Sequence, residues 1–162
     1  MSSTSARDLD AARRRRQLTR AIKESLRELS NQLSLLNHHV GAHVELKDVD
    51  LDCLELINRH GPLNPSALAR RAGLHPATMT GILDRLERGG WIVRERDPAD
   101  RRAVLLHARR ERAREVFGMY AGMNGAMDEI CAGYTDEELA TVADFLHRVG
   151  EAGRTAAAEL GD

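Results

Sequence analysis

A mainly α fold, interrupted once by a small β-hairpin and flanked by long helices, is what this sequence predicts, and three observations predict it. Between residues 63 and 107, two short amphipathic segments meet at Gly73 and run into an Arg-rich pair of alternating strands. On either side of that stretch, apolar residues recur three and four apart over runs too long for a small module to cover. Aromatic residues make up only 3% of the 162, so the core must be built from Leu, Ile, Val, Ala and Met. A chain of this length suits one compact domain, or one domain with extensions.

Taken in order, residues 1–10 (MSSTSARDLD) are small and polar and read as a flexible tail. Residues 11–43 read as a first long helix whose seam is Leu18, Ile22, Leu26, Leu29, Leu33, Leu36 and Val40, with Gly41 near its end. The basic run Arg13 to Arg16 at its start suits either a solvated face or a DNA-backbone contact. Val49 to His60 is a second helix that turns Leu51, Cys53, Leu54 and Ile57 inward, and Gly61-Pro62 closes it. Asp48, Asp50 and Asp52 stand at its start, where the helix dipole favours carboxylates without any catalytic role.

A third, short helix follows with Leu68 and Ala72 on its apolar face and Ala67 beside them. Gly73 suits the left-handed residue that ends a helix. Pro76 fits the first position of a fourth helix, which leaves His75 as its N-cap. Met79, Ile82, Leu83 and Leu86 face a core, and the other face carries His75, Ala77, Thr78, Thr80, Gly81 and Arg85. Small and hydrogen-bonding groups of this kind can approach the floor of a DNA major groove closely. Gly89-Gly90 stops the helix. Trp91 and Val93, alternating with Arg94 and Arg96, form a half-buried strand, Asp97 to Asp100 a turn, and Ala103 to Leu106 the returning strand. Residues 48–108 thus read as a helix-turn-helix with a two-stranded wing.

Ala108 to Tyr134 reads as one long helix with Val116, Tyr120, Met123, Met127, Ile130 and Tyr134 at heptad spacing. Thr135-Asp136-Glu137-Glu138 is a capping box, in which Thr135 and Glu138 each satisfy the other's backbone N–H. A last helix carries Leu139, Val142, Leu146, Val149, Gly153, Ala156 and Leu160. Seams of this length imply either an intramolecular three-helix bundle or, more simply, a symmetric homodimer. On the second reading, residues 11–43 and 109–162 are dimerisation helices.

Overall charge, formally −1, says little, but its distribution is informative. Residues 64–114 carry twelve basic and six acidic side chains, whereas residues 115–162 carry two and ten. A basic middle is what a module facing DNA phosphates requires. Of the 24 basic residues, 22 are Arg, a bias expected of a GC-rich coding sequence and given no functional weight. No run approaches 18 apolar residues and no charged-then-apolar leader opens the chain, so a cytoplasmic protein without a membrane partner is expected. Hydrolase, nucleotide-binding and zinc-protease motifs are absent, and neither an enzyme nor a cofactor is expected.

The run LDRLERGGWIVRERDPADRR resembles the signature of the MarR (multiple-antibiotic-resistance regulator) family of winged-helix transcription factors. That signature is D-R-L-E, one or two glycines, a short strand, then D-P-x-D-R-R. The resemblance implies a ligand-responsive repressor, a homodimer knitted by the first helix and the last two, and double-stranded DNA with an inverted repeat as partner. It assigns DNA contacts to the fourth-helix face above and to Arg96, Asp100, Arg101 and Arg102 of the wing. Asp100 is expected to hold the Arg102 guanidinium by paired hydrogen bonds.

The resemblance also implies a crevice for a small anionic aromatic effector where the first, second and fifth helices meet the winged module. His39, His43, Cys53, Ile57 and Arg112 are the candidate lining. Two departures from the pattern stand out: Leu106-His107-Ala108 replaces the usual Leu-Thr that caps the next helix, and Gly81 replaces a long polar side chain.

Two further readings stay open. His39 and His43, four apart beside His38 and Glu45, have zinc-ligand spacing, with His107 a possible third ligand, so a zinc-dependent regulator of the same fold is one alternative. A winged-helix protein-interaction module without a DNA role is another. Cys53 and Cys131 fall on apolar helical faces and are read as buried, unreactive thiols rather than a disulfide.

Overall fold

A computed structural model describes residues 2–100 and 102–161. Among the described residues, seven helices and one hairpin follow in the order α1 (Ser2–His43), α2 (Asp48–His60), α3 (Pro65–Ala72), α4 (Pro76–Arg88), β1 (Ile92–Arg96), β2 (Val104–Ala108), α5 (Arg110–Gly118), α6 (Ala121–Cys131) and α7 (Asp136–Gly161). They form two compact units, residues 1–116 and 117–162. No helix among the described residues is long and apolar enough to cross a membrane.

The first unit is built around α2, which packs against α1, α3, α4 and β2. Leu51, Cys53, Leu54 and Ile57 are buried, meeting Leu68 and Ala69 of α3 and all four expected residues of α4 in one core. Each short helix begins and ends on local chemistry. Asn64 caps α3 by accepting the Ala67 N–H at 2.8 Å, and Gly73 ends it at φ 64°, a left-handed conformation that a side chain would oppose. His75 caps α4, its Nδ1 accepting the Ala77 N–H at 3.2 Å ahead of Pro76.

The hairpin pairs antiparallel from Ile92 with Ala108 to Arg96 with Val104. Leu63 forms an isolated bridge on the far edge of β2, exchanging backbone hydrogen bonds with Leu106 at 3.4 and 2.8 Å, which ties the α2–α3 loop to the sheet. At the base, Trp91 and Ile92 are both buried rather than alternating.

Three expectations about helix extent need correction. No glycine or proline lies between residues 2 and 40, and α1 begins at Ser2, so the stretch expected as a tail continues the helix. The single helix expected from Ala108 to Tyr134 is two, interrupted at Met119-Tyr120, where Tyr120 N–H bonds three residues back to Phe117 at 3.2 Å. Gly118 and Gly122 flank that break, each costing a helix about 1 kcal/mol relative to Ala. At the wing's end, β2 runs on to Ala108, and the Arg109 N–H joins the sheet through Trp91 O at 2.9 Å while Arg109 O accepts from Ala113. Strand pairing thus orders the start of α5 without the missing Thr.

In the second unit, the capping box closes as the sequence requires. Thr135 N–H donates to Glu138 Oε2 at 2.9 Å, and Glu138 N–H donates to Thr135 Oγ1 at 3.2 Å. Along α7, Val142, Phe145, Leu146 and Val149 remain exposed.

Candidate nucleic-acid interface

Helix α4 presents its outer face as the sequence spacing requires. His75, Ala77, Thr78, Thr80 and Gly81 are exposed, back to back with the buried Met79, Ile82 and Leu83. The sequence spacing places Arg85 on this face too, and here the structure differs. Its guanidinium turns toward α2 and grips Asp50 with both arms, Nε to Oδ2 at 2.9 Å and Nη2 to Oδ1 at 2.7 Å. Asp50 is almost wholly buried, so its charge would be costly without this forked partner. The hydrogen bonds to Asp50, outweighing partial burial, raise the Arg85 pKa further. Arg85 is a bolt between α2 and α4, not a free group for a base.

A second set of ion pairs fastens the wing to the same helix. Arg94 of β1 donates to Asp84 at 2.5 Å and lies 3.3 Å from Glu87. At the tip, Asp97 Oδ1 accepts the Ala99 N–H at 2.8 Å and Asp100 Oδ1 accepts the Arg102 N–H at 2.9 Å. Asp100 therefore braces the backbone of Arg102 rather than its guanidinium, since a short carboxylate reaches the N–H two residues on most readily. Arg96 and Arg102 are exposed, with no ion pair among the described residues, and Arg101 lies outside them.

The five residues expected to line an effector crevice do not come together. Cys53 and Ile57 are sealed in the core, and His39 and His43 are exposed on α1. Burial first, then Asp52 and Asp50, pushes the Cys53 thiol up to about 11, in keeping with an inert cysteine. Cys131 is half-buried. His38 reaches Asp48 at 3.2 Å, but among the described residues no group of three His, Cys, Asp or Glu side chains is placed to hold a metal.

Of the five, Arg112 borders a cleft. Its guanidinium stacks 3.8 Å above the Trp91 ring and bonds to Glu115 at 2.8 Å and to Gly89 O at 3.4 Å. The cleft, about 320 Å³, is formed by the α1–α2 turn, the C-terminal end of α4 and the start of α5, and Lys47, Arg88 and Arg112 border it together with Glu45 and the Arg85–Asp50 pair.

Asp50, read from the sequence as a helix-start carboxylate, and Arg94 and Trp91, read as strand residues, hold the site together through contacts that the sequence reading does not contain. For Asp50 a signal existed: it lies three, four and seven residues before Cys53, Leu54 and Ile57, in phase with the buried face.

Comparison with known proteins agrees with this geometry. The model of the MarR family matches residues 46–104. The HTH-type transcriptional regulator YcgE of Bacillus subtilis is 27% identical over 137 residues, 85% of this chain and 89% of that protein. The transcriptional regulator Tm0710 of Thermotoga maritima superposes with a TM-score of 0.60 at 25% identity, covering 85% of this chain and 96% of that one. Streptococcus pneumoniae FabT, solved in complex with DNA, superposes with a TM-score of 0.67 at 22% identity, over 85% and 99% of the two chains, and shares the fold.

Proposed function

Because the chain belongs to the MarR family of winged-helix, DNA-binding transcriptional regulators, we propose that it acts as a homodimeric repressor on an inverted-repeat operator. Helix α4 enters the major groove through His75, Ala77, Thr78, Thr80 and Gly81, while the wing sets Arg96, Arg101 and Arg102 against the neighbouring backbone and minor groove. The observation that carries this reading is the pairing of an uncovered α4 face with an exposed Arg102 whose backbone N–H is held by Asp100.

The exposed seams on α1 and α7 support a second copy as partner, since Leu18, Ile22, Leu29 and Leu33 on one and Leu146 and Val149 on the other lie uncovered within their own units. Two-fold symmetry then calls for half-sites about 34 Å apart. Occupied in this way, a promoter is closed to polymerase. The cationic cleft beside Trp91 suits a small anionic aromatic effector, whose binding would weaken DNA affinity reciprocally.

Titration of a selected duplex and a scrambled one at several salt concentrations tests the DNA assignment. Arg102→Ala should weaken binding to both, and should flatten the salt dependence by about one unit of slope per lost phosphate contact. Wild-type affinity and slope on both duplexes would remove the wing from the interface.

A further inference from the structure

Resting on the reading of α4 as the groove helix, we infer that this helix reads its half-site without a charged side chain, selecting thymine-bearing steps through their 5-methyl groups. Arginine held in two-pronged contact with guanine is the commonest specific reading of a major groove. Here every charged residue of α4 already has a partner within the chain, although Glu87 and Arg88 stay exposed. Arg85 is held by the buried Asp50, Asp84 and Glu87 hold Arg94, and Arg88 Nε donates to Asp84 O at 3.2 Å. All four sit in the second half of the helix. Releasing Arg85 would strand Asp50, whose side chain is 2% exposed, without its counter-charge.

The first half of α4 has no charge to offer. At Gly81, where the family usually carries a long polar group, a methyl would come into ordinary contact with the Arg85 guanidinium at 3.5 Å, and no side chain of its own projects from that position. Around it stand the Ala77 methyl and the Thr78 and Thr80 side chains, all exposed. His75 Nδ1 accepts the capping N–H, which places the ring proton on Nε2 and leaves one outward donor. Methyls facing a groove gain most from thymine, whose C5-methyl is the only apolar group on a base edge there. One donor and two hydroxyls are enough to hold register beside it.

The test uses the full chain and duplexes selected by it from a random pool, resynthesised with deoxyuridine in place of thymidine. Uracil removes only the major-groove methyl and leaves the minor-groove edge met by the wing unchanged. The wild type should enrich half-sites with thymine at the positions under α4, and should lose about fourfold in affinity per methyl removed, or roughly fifteenfold when each half-site loses one. Thr80→Ser should bind the thymidine duplex about fourfold more weakly per half-site and become indifferent to uracil at one base pair of each. Thr80→Val, which keeps the methyl, should retain the discrimination.

Equal affinity of the wild type for thymidine and deoxyuridine duplexes would overturn the inference. So would half-sites that fix guanine under α4 and lose more to 7-deazaguanine than to any uracil. A chain that enriches no sequence at all would instead remove the regulator reading beneath it.

Discussion

In α4, Met79, Ile82, Leu83 and Leu86 are each at most 4% exposed; in α7, Val142, Phe145, Leu146 and Val149 recur at comparable spacing and are 39 to 47% exposed. The two stripes look alike in sequence. What separates them is the company that each helix keeps. Helix α4 belongs to a unit in which α2, α3 and β1 converge on it, so its stripe is spent on the core of a single chain. Helix α7 shares its unit with α6, whose Met127 and Ile130 are themselves exposed. Amphipathic spacing therefore announces that a face is to be covered, and says nothing of what covers it.

The sharpest way to break the comparison is to place the same charge on both stripes. Leu86→Asp, at a wholly buried position, should abolish folding at any protein concentration, because an unpaired carboxylate there costs several kcal/mol or more. Circular dichroism against concentration reads this directly. A folded Leu86→Asp protein would show that α4 is not the core helix described. Next in size, Asp50→Ala should cost about 3–5 kcal/mol in urea unfolding, because it removes one partner of a buried pair; a loss under 1 kcal/mol would make the pair incidental.

Leu146→Asp should behave differently in kind. The fold of the first unit should survive, while sedimentation shows the dimer dissociating at concentrations at least a hundredfold higher than for wild type, a penalty of roughly 3 kcal/mol. A wild-type monomer at micromolar concentration would end the dimer reading.

The smallest effect separates the two thiols. At pH 8, Cys131 should react with a maleimide well before Cys53, which is sealed in the core. The Cys53 thiol is raised in the folded state above its ordinary 9.0, to about 11. Its stabilising share is therefore complete below about pH 9 and declines as pH rises through about 11. Cys53→Ala should flatten that alkaline decline, and an unchanged profile would assign it to another group.

Features written in neighbouring residues are legible in the sequence alone. Gly73, the His75-Pro76 start and the Thr135–Glu138 box each depend on atoms within four positions of one another, so residue type and spacing nearly determine them. The exposed half of the α4 face followed from the same periodicity. What escaped the sequence is set by distance along the chain or by competition between partners. Arg85 finds Asp50 across 35 positions, and only the fold decides that a basic residue in phase with Thr78 is spent internally. Asp100 had two acceptable donors in Arg102, and the nearer backbone N–H took it. Cys53 and Ile57 were assigned to a crevice on topology, yet an apolar residue gives no sign of whether it lines a void or fills one.

The stacking of Arg112 on Trp91 has an optical consequence. Trp91 is the chain's sole tryptophan, and it is 3% exposed beneath the guanidinium. Gly89 permits the arrangement, since a methyl there would lie 2.6 Å from the indole Cδ1 and Nε1. Indole emission from this protein is therefore a single-site signal from the junction of wing base, α4 and α5. Any event that lifts Arg112 from the ring admits water to the indole and moves that emission to the red, so the natural protein carries its own fluorophore at the border of the cationic cleft.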